Sequence, residues 1–167
     1  MSAAAARRDA RRLSQRGISI SAEGSLNAPA EVVYHCLADY REHHRPGGFL
    51  PPQFVDFQIE RGGVGAGTVI SFATTLGGRK RRLTQQVSEP LPGRVLVESG
   101  EGVMTTFTVE PQGDGCRVRF DSVFEARGIN ALLMRLFAPR LLRPVYADEI
   151  RRLEQHARAH GPVPAAI

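Results

Sequence analysis

Apolar and polar residues alternate along most of the chain between residues 18 and 125, which is the pattern of half-buried β-strands. In the first such segment, residues 18–26, Ile18, Ile20 and Leu26 share one face, while serines and Glu23 occupy the other. Similar segments follow at residues 55–60, 68–75, 83–87, 95–99, 103–109 and 118–125, and glycine, proline or polar turns separate them. The pattern predicts about seven strands, and the short turns predict antiparallel pairing.

Three- and four-residue apolar spacing predicts helices in two other regions. After Pro29, Val32, Val33, Cys36 and Leu37 give one apolar face to a short helix that ends near residue 39 or 40. A second short helix or an irregular turn follows over residues 41–45. The long spacing pattern at residues 128–159 predicts a helix that crosses the whole sheet.

Two prolines, Pro139 and Pro144, interrupt the long helical pattern. Each removes a backbone donor and crowds the preceding turn. We therefore expect a short leading helix or a kink near them, followed by a straight main helix.

These elements predict an α+β fold in which a curved antiparallel sheet of about seven strands wraps around the C-terminal helix. One face of the sheet has to be covered, and the terminal helix is the longest predicted element. The two short helices follow the first strand. We predict one domain at residues 18–160, preceded by a basic, disordered arm at residues 1–17 and followed by a tail at residues 161–167.

Four segments of the sequence resemble a known superfamily. They are Asn27-Ala-Pro-Ala-Glu-Val-Val after the first strand, Leu37-Ala-Asp-Tyr40 at the end of the short helix, the turn Gly62-Gly-Val-Gly-Ala-Gly-Thr68, and Val87-Ser-Glu-Pro-Leu-Pro-Gly-Arg-Val95. With these segments the chain resembles the SRPBCC, or START-like, helix-grip superfamily over roughly residues 18–159. That superfamily includes START-type lipid carriers, birch-pollen-allergen-like proteins, and polyketide cyclase/dehydrase and lipid-transport proteins.

The resemblance implies an elongated apolar cavity between the sheet and the long helix. We expect it to bind a hydrophobic small molecule, either a lipid or a polyketide-like compound. The alternative is a polyketide cyclase/dehydrase-type enzyme that uses the same cavity. The chain has no tryptophan, although aromatase/cyclases commonly line their cavity with it, and this departure weakens the enzymatic alternative.

Large apolar residues and a few polar ones share the faces that we expect to line the cavity. Inward polar groups would orient a ligand that carries a hydroxyl or carbonyl group. The alternatives are a dry, close-packed core and hydroxyls bonded to neighbouring strands. The predicted ligand-binding residues are Phe57, Phe72, Thr74, Gln85, Thr105, Phe107, Phe120, Ser122, Phe137 and Leu141.

His44 and Tyr40 are the candidates for acid–base chemistry. His44 lies beside the proline- and glycine-rich segment expected at the cavity mouth, and an imidazole titrates near neutral pH. The more ordinary interpretation of His44 is an exposed loop histidine. No catalytic residue is carried over from the superfamily, and the sequence has no GxSxG, P-loop or dinucleotide motif. We predict no cofactor.

Metal-ligating side chains recur at four-residue spacing in His35, Asp39 and His43. A continuous helix would place all three on one face. Because the helix is expected to end near Asp39, we predict no metal site there. The two cysteines, Cys36 and Cys116, have no metal or redox spacing and are interpreted as unpaired thiols.

The net charge of +5 is concentrated in the arm. Five arginines against Asp9 give residues 1–17 a charge of +4, which leaves +1 for the rest. A nearly neutral domain argues against nucleic-acid binding.

The densest basic run in the body, Arg79, Lys80, Arg81 and Arg82, is typical of a solvated turn. Together with the arm it could contact an anionic membrane surface. Without a secretory signal pattern or a long apolar run, the chain is expected to be cytoplasmic.

Overall fold

A computed structural model describes residues 17–45, 47–76, 79–100, 102–125 and 129–161. Within helices and strands, it leaves undescribed the side chains of residues 76, 79 and 129–136. The predicted arm therefore lies almost entirely outside the described residues, as does the tail beyond Gly161. No helix in the described ranges is long and apolar enough to span a membrane.

Within the described residues, seven strands form one antiparallel sheet, which confirms the predicted α+β fold. The order across the sheet is β1-β7-β6-β5-β4-β3-β2, so strands β2 to β7 are sequential neighbours and β1 pairs with β7. Ile18 lies opposite Phe124, and Leu26 lies opposite Cys116. The strands are β1 (Gly17–Leu26), β2 (Phe54–Arg61), β3 (Val69–Leu76), β4 (Arg79–Leu91), β5 (Val95–Gly100), β6 (Val103–Gln112) and β7 (Gly115–Glu125).

Two short helices, α1 (Ala30–Ala38) and α2 (Tyr40–His43), join β1 to the opposite edge of the sheet. Pro29 lies just before α1, where its missing N–H costs nothing. Asp39 ends α1 and caps α2, because its Oδ1 accepts hydrogen bonds from the backbone N–H groups of Arg41 and Glu42 at 3.0 and 3.1 Å. His43 is the last residue of this short helix, and His44 follows directly after it.

The third helix, α3 (Ile129–His160), is a single element of 32 residues. It contains both Pro139 and Pro144, so the prolines do not divide it into two helices. Its later turns pack on the sheet through buried residues that include Tyr146, Ile150 and Leu153. Gly24 of β1 permits close approach, because an added Cβ there would lie 2.9 Å from Cγ2 of Ile150.

A β-bulge in β2 changes which of its residues face the core. The register with β3 shifts between Val55 and Gln58, and Asp56 has a φ of 55°, which is rare for a residue other than glycine. Strict alternation would place Val55, Phe57 and Ile59 together on one face of β2. Instead Val55 and Ile59 are exposed, while Phe54 and Phe57 pack against the core.

Candidate functional site

A cavity of about 80 Å³ lies between the inner face of the sheet and α3. Its wall is mostly aromatic and aliphatic, with a small group of polar side chains contributed by the strands and by α3. It is lined by Leu37, His44, Phe49, Leu50, Phe54, Phe57, Ile70, Phe72, Thr74, Leu83, Gln85, Glu98, Val103, Thr105, Phe107, Phe124, Leu142, Val145, Tyr146 and Glu149.

Eight of the ten predicted ligand-binding residues come together at or directly behind this wall. Phe57, Phe72, Thr74, Gln85, Thr105 and Phe107 line the cavity. Phe120 and Ser122 lie in the neighbouring strand β7, directly opposite the lining residues Phe107 and Thr105 of β6. The Phe120 ring is 4.7 Å from that of Phe107, and Ser122 is hydrogen bonded to Thr105.

Phe137 and Leu141 do not line the cavity. Their side chains are 55% and 50% exposed. The inward face of α3 runs instead through Ala138, Leu142 and Val145, one residue later in each turn. The apolar spacing correctly predicted a helix. Two neighbouring faces of this helix are apolar, one with Phe137 and Leu141 and the other with Ala138 and Leu142, and the spacing alone selected the exposed face.

A chain of hydroxyl groups links α3 to the sheet beside the cavity. The Tyr146 hydroxyl donates to Ser122 Oγ at 2.7 Å, and Ser122 Oγ and Thr105 Oγ1 are 2.8 Å apart. Burial raises the pKa of Tyr146 above its usual value, so the phenol stays protonated. These groups satisfy one another, which is what buried polar groups require.

Two buried carboxyl groups, Glu98 of β5 and Glu149 of α3, also face the cavity. They are only 9% and 6% exposed. Burial raises the pKa of Glu98 to about 7, and the hydrogen bond from Tyr40 lowers it again in part. Burial, with repulsion from Glu98 and Asp148, raises the pKa of Glu149 to about 8. Near neutral pH, Glu149 is therefore mostly protonated while Glu98 is partly ionised.

The two carboxyl groups differ in their partners. Tyr40 donates its hydroxyl hydrogen to Glu98 Oε1 at 2.8 Å. Among the residues that the structure describes, none is hydrogen bonded to the Glu149 carboxyl group. Gln85, which also lines the cavity, has a buried Oε1 without a partner among those residues. The cavity wall thus carries two polar groups that are free to engage a ligand.

Sequence reasoning missed Glu98 and Glu149 because charged residues are assigned to the solvent face by default. A signal was nevertheless present in the periodicity. Glu98 is two residues after the buried Leu96 in a strand, and Glu149 is seven residues after Leu142 in a helix. A charged residue that falls on the apolar face in this way marks a candidate site.

The two acid–base candidates occupy a common aromatic cluster. The Tyr40 and His44 rings are 4.3 Å apart. His44 is buried, so its interpretation as an exposed loop histidine is wrong. Its Nε2 hydrogen is donated to the carbonyl of Leu37 at 3.1 Å. Burial lowers the pKa of His44 to about 3, and burial with the neighbouring Glu98 raises that of Tyr40 well above 10.

The basic run forms the first four residues of β4, and its described side chains contact residues of β2 and β3. Lys80 Nζ is 3.0 Å from Asp56 Oδ2. Arg82 donates to Ser71 Oγ at 2.9 Å and to Gln58 Oε1 at 3.1 Å. Arg81 also has an interaction partner. Contact of this run with an anionic membrane stays a prediction.

The architecture defines a class: a helix-grip protein with a cavity between its curved sheet and long terminal helix. Residues 17–158 match the model of the family described as polyketide cyclase / dehydrase and lipid transport, and the chain belongs to that family. No curated protein sequence matches the chain.

Solved structures share the fold. KanY is 24% identical over 85% of this chain and 98% of its own, with a TM-score of 0.72. The protein TTHA0849 from Thermus thermophilus is 19% identical over 86% of this chain and 99% of its own, with a TM-score of 0.69. The Zhui aromatase/cyclase from a Streptomyces species is 12% identical over 90% of this chain and 99% of its own, with a TM-score of 0.65.

Proposed function

We propose that the protein binds a small, mostly apolar molecule that carries a hydroxyl or carbonyl group, in the cavity under α3. The observation that carries the proposal is the wall itself, in which aromatic and aliphatic side chains surround the Glu149 carboxyl group and Gln85. The buried Oε1 of Gln85 has no hydrogen-bond partner among the described residues. Removal of apolar ligand surface from water supplies the affinity, at roughly 25 cal/mol per Å². The polar groups select among ligands.

The size of the cavity bears on how a ligand enters. At about 80 Å³, it is smaller than the roughly 150 Å³ cavity that accommodates benzene in a protein core. A lipid or polyketide-like ligand therefore has to displace wall residues. Leu50, Phe54 and Phe57 are the natural candidates, because they are only partly buried while they pack against the core.

The protonation of Glu149 determines which ligand groups it recognises. Its raised pKa of about 8 leaves an O–H donor at neutral pH, while Gln85 Oε1 is an acceptor. A phenolic hydroxyl can accept from the first and donate to the second. This complementarity favours a phenol-like group over a purely apolar end.

The test uses phenol and toluene, which are nearly isosteric, as probes followed by amide chemical shifts in NMR titrations. Val103→Phe fills the cavity, and we expect it to abolish binding of both probes. The control Leu91→Phe alters an exposed position and should leave both affinities unchanged. Glu149→Gln should change phenol affinity by a few fold, the size of one hydrogen bond, without affecting toluene. Unchanged binding in Val103→Phe would show that the cavity is not the site.

A second candidate is acid–base catalysis of the cyclase/dehydrase kind. It is favoured by one observation, the pair of buried carboxyl groups with pKa values near neutrality. Enzymes obtain an acid and a base from two like groups by such differences in environment. In a dehydration, ionised Glu98 would take the proton from carbon, while protonated Glu149 would give its proton to the departing hydroxyl and release water.

His44 and Tyr40 are less suited to those roles. A His44 with a pKa of about 3 is neutral at pH 7, and its Nε2 hydrogen is held by a backbone carbonyl. Tyr40 acts on Glu98 instead, as a positioning residue.

For the enzymatic candidate, Glu98→Gln and Glu149→Gln should lose turnover of a β-hydroxy ketone while retaining toluene binding. Full turnover in both variants would reject it.

A further inference from the structure

Outside the cavity, the structure brings together a cysteine and two histidines from three helices. Cys36 lies on α1, His43 on α2 and His156 on α3. One ligating atom from each, the Cys Sγ and a ring nitrogen of each His, lies within 4.8 Å of the others. We propose that these three side chains form a site for a divalent transition metal ion such as Zn²⁺.

The ligand chemistry fits a borderline-soft ion. A thiolate and two imidazoles are ligands that Zn²⁺ and Co²⁺ accept in tetrahedral geometry. A metal ion about 2.0–2.3 Å from each ligand requires ligand atoms roughly 3–4 Å apart. His43 Nδ1 and His156 Nε2 are already 2.9 Å apart. The site therefore needs side-chain adjustments of about 1 Å, without movement of the helices.

The surroundings keep both imidazoles in the form that binds metal. Burial, with the neighbouring histidines, lowers the pKa of His43, and the same causes lower that of His156 to about 4. Both rings are therefore neutral at pH 7. Without a metal, the two facing nitrogens can share only a single hydrogen. Metal binding shifts that hydrogen to the remote nitrogen of the same ring and leaves both lone pairs for the ion.

The thiol supplies the proton that binding releases. Burial and the charge of Asp39 raise the pKa of Cys36 to about 11, so the free protein holds a neutral thiol. When the ion binds, the S–H bond breaks, the S–metal bond forms, and one proton enters solution. The buried Cys36 and His43 close the inner side of the site.

His160 lies at the outer side, where an ion can enter. Its ring is 4.0 Å from that of His156 and 5.0 Å from that of His43. Its Nδ1 hydrogen is donated to the carbonyl of His156 at 2.8 Å. Its other ring nitrogen is left as an acceptor. A water molecule completes the tetrahedron, or His160 does so after a side-chain rotation that brings this nitrogen to the ion.

The sequence hid this site because its ligands are far apart. His43 and His156 are separated by 113 positions. The four-residue series of His35, Asp39 and His43 pointed to a different set, which would have needed a continuous helix. Asp39 is instead used as the cap of α2. The site is complete only in the folded protein, because α3 folds back toward α1 and α2 and brings His156 next to His43.

The experiment titrates the full chain, stripped with a chelator, with Zn²⁺ by calorimetry and with Co²⁺ by absorbance. We expect one ion per chain, a thiolate-to-cobalt charge-transfer band, and a higher melting temperature with Zn²⁺ that a chelator reverses. Cys36→Ser and His156→Gln should weaken Zn²⁺ binding by roughly 100-fold or more, beyond the 10- to 100-fold effect of outer-shell changes.

Cys116→Ser is the matched control, because Cys116 is also a buried free thiol but lies in β7. It should bind Zn²⁺ like the native protein. If Cys36→Ser does not fold, His156→Gln decides, since His156 is partly exposed. Absence of the charge-transfer band in the native protein, or native affinity in folded His156→Gln, would overturn the proposal.

Discussion

The hydroxyl of Tyr40, the first residue of α2, donates to Glu98 Oε1 in the middle of β5 across 2.8 Å. The bond joins the short helical segment to the sheet inside the core, where both residues are buried. It also stabilises the ionised form of a carboxyl group that its surroundings would keep protonated. One hydrogen bond therefore serves both the fold and the charge state of the cavity.

Tyr40→Phe should raise the pKa of Glu98 above about 7, because the carboxylate loses its donor. It should also lower the free energy of unfolding by about 1–3 kcal/mol, the usual cost of leaving a buried polar group unpaired. A ¹³C NMR titration of the glutamate carboxyl groups measures the first effect. The matched control is Tyr34→Phe, which removes a phenol bonded to Glu89 at 2.6 Å. An unchanged Glu98 titration in Tyr40→Phe would contradict this account.

Stability should fall as pH rises from 6.5 to 8. Glu98 and Glu149 have folded-state pKa values of about 7 and 8, above the ordinary 4.5. In this window the folded protein holds protons that the unfolded chain has released, so each carboxyl contributes a loss of up to about 1.4 kcal/mol per pH unit. Urea unfolding at several pH values measures the slope. Glu149→Gln should flatten it, while the exposed Glu110→Gln should not.

Below pH 6.5 the histidines oppose this trend. The pKa values of His44 and His156 are lowered to about 3 and 4, so the unfolded chain binds more protons at these two groups, and their contribution to stability rises with pH toward 6.5. The native protein should therefore be most stable at mildly acidic pH. A native curve that is flat from pH 6.5 to 8 would show that the carboxyl groups are not held as described.

Gly24→Ala should destabilise the protein by about 1–3 kcal/mol, the usual cost of overpacking. The added Cβ would lie 2.9 Å from Cγ2 of Ile150, which α3 holds against β1. Chemical denaturation measures the loss. The double variant with Ile150→Ala should recover part of it, because the clashing methyl is gone. If the two losses simply add, the close approach is not the cause.

Phe137 and Leu141 should be dispensable, whereas Leu142 should not. Phe137→Ser and Leu141→Ser should each change the free energy of unfolding by no more than about 0.5 kcal/mol, because both side chains are half exposed. Leu142→Ala should cost about 2–5 kcal/mol and enlarge the cavity. Toluene binding provides a second measurement, since only the Leu142 variant should alter it. A large loss from Phe137→Ser would contradict the exposed position of this side chain.

Much of the fold was predictable because burial imposes simple periods on strands and helices. The two-residue alternation from Ile18 onward predicted the positions of the strands in the sequence. The need to cover one face of the sheet predicted that α3 packs against it. The bulge at Asp56 was not predictable, because a single left-handed residue shifts the phase of Phe54 and Phe57 without changing the composition of the strand.

The site was predictable only in its apolar part. Phe57, Phe72 and Phe107 follow from the inward faces of their strands. Glu149 does not follow from this pattern. Burial and the charges of Glu98 and Asp148 favour its protonated form, and they act on it only in the folded protein. The proximity of Cys36 to His156 likewise could not be predicted, because it depends on how α3 packs against α1.

The pairing of β1 with β7 has a consequence for biosynthesis. Ser21 and Asp121, which are hydrogen bonded across these strands, are 100 positions apart. A ribosome delivers the first strand long before its partner, so β1 must wait until nearly the entire sheet has been synthesised. Contacts of such long range slow folding, and an unpaired edge is prone to aggregation in the interval. Chains that terminate before residue 115 would leave β1 without its native neighbour and should become substrates for chaperones or proteases.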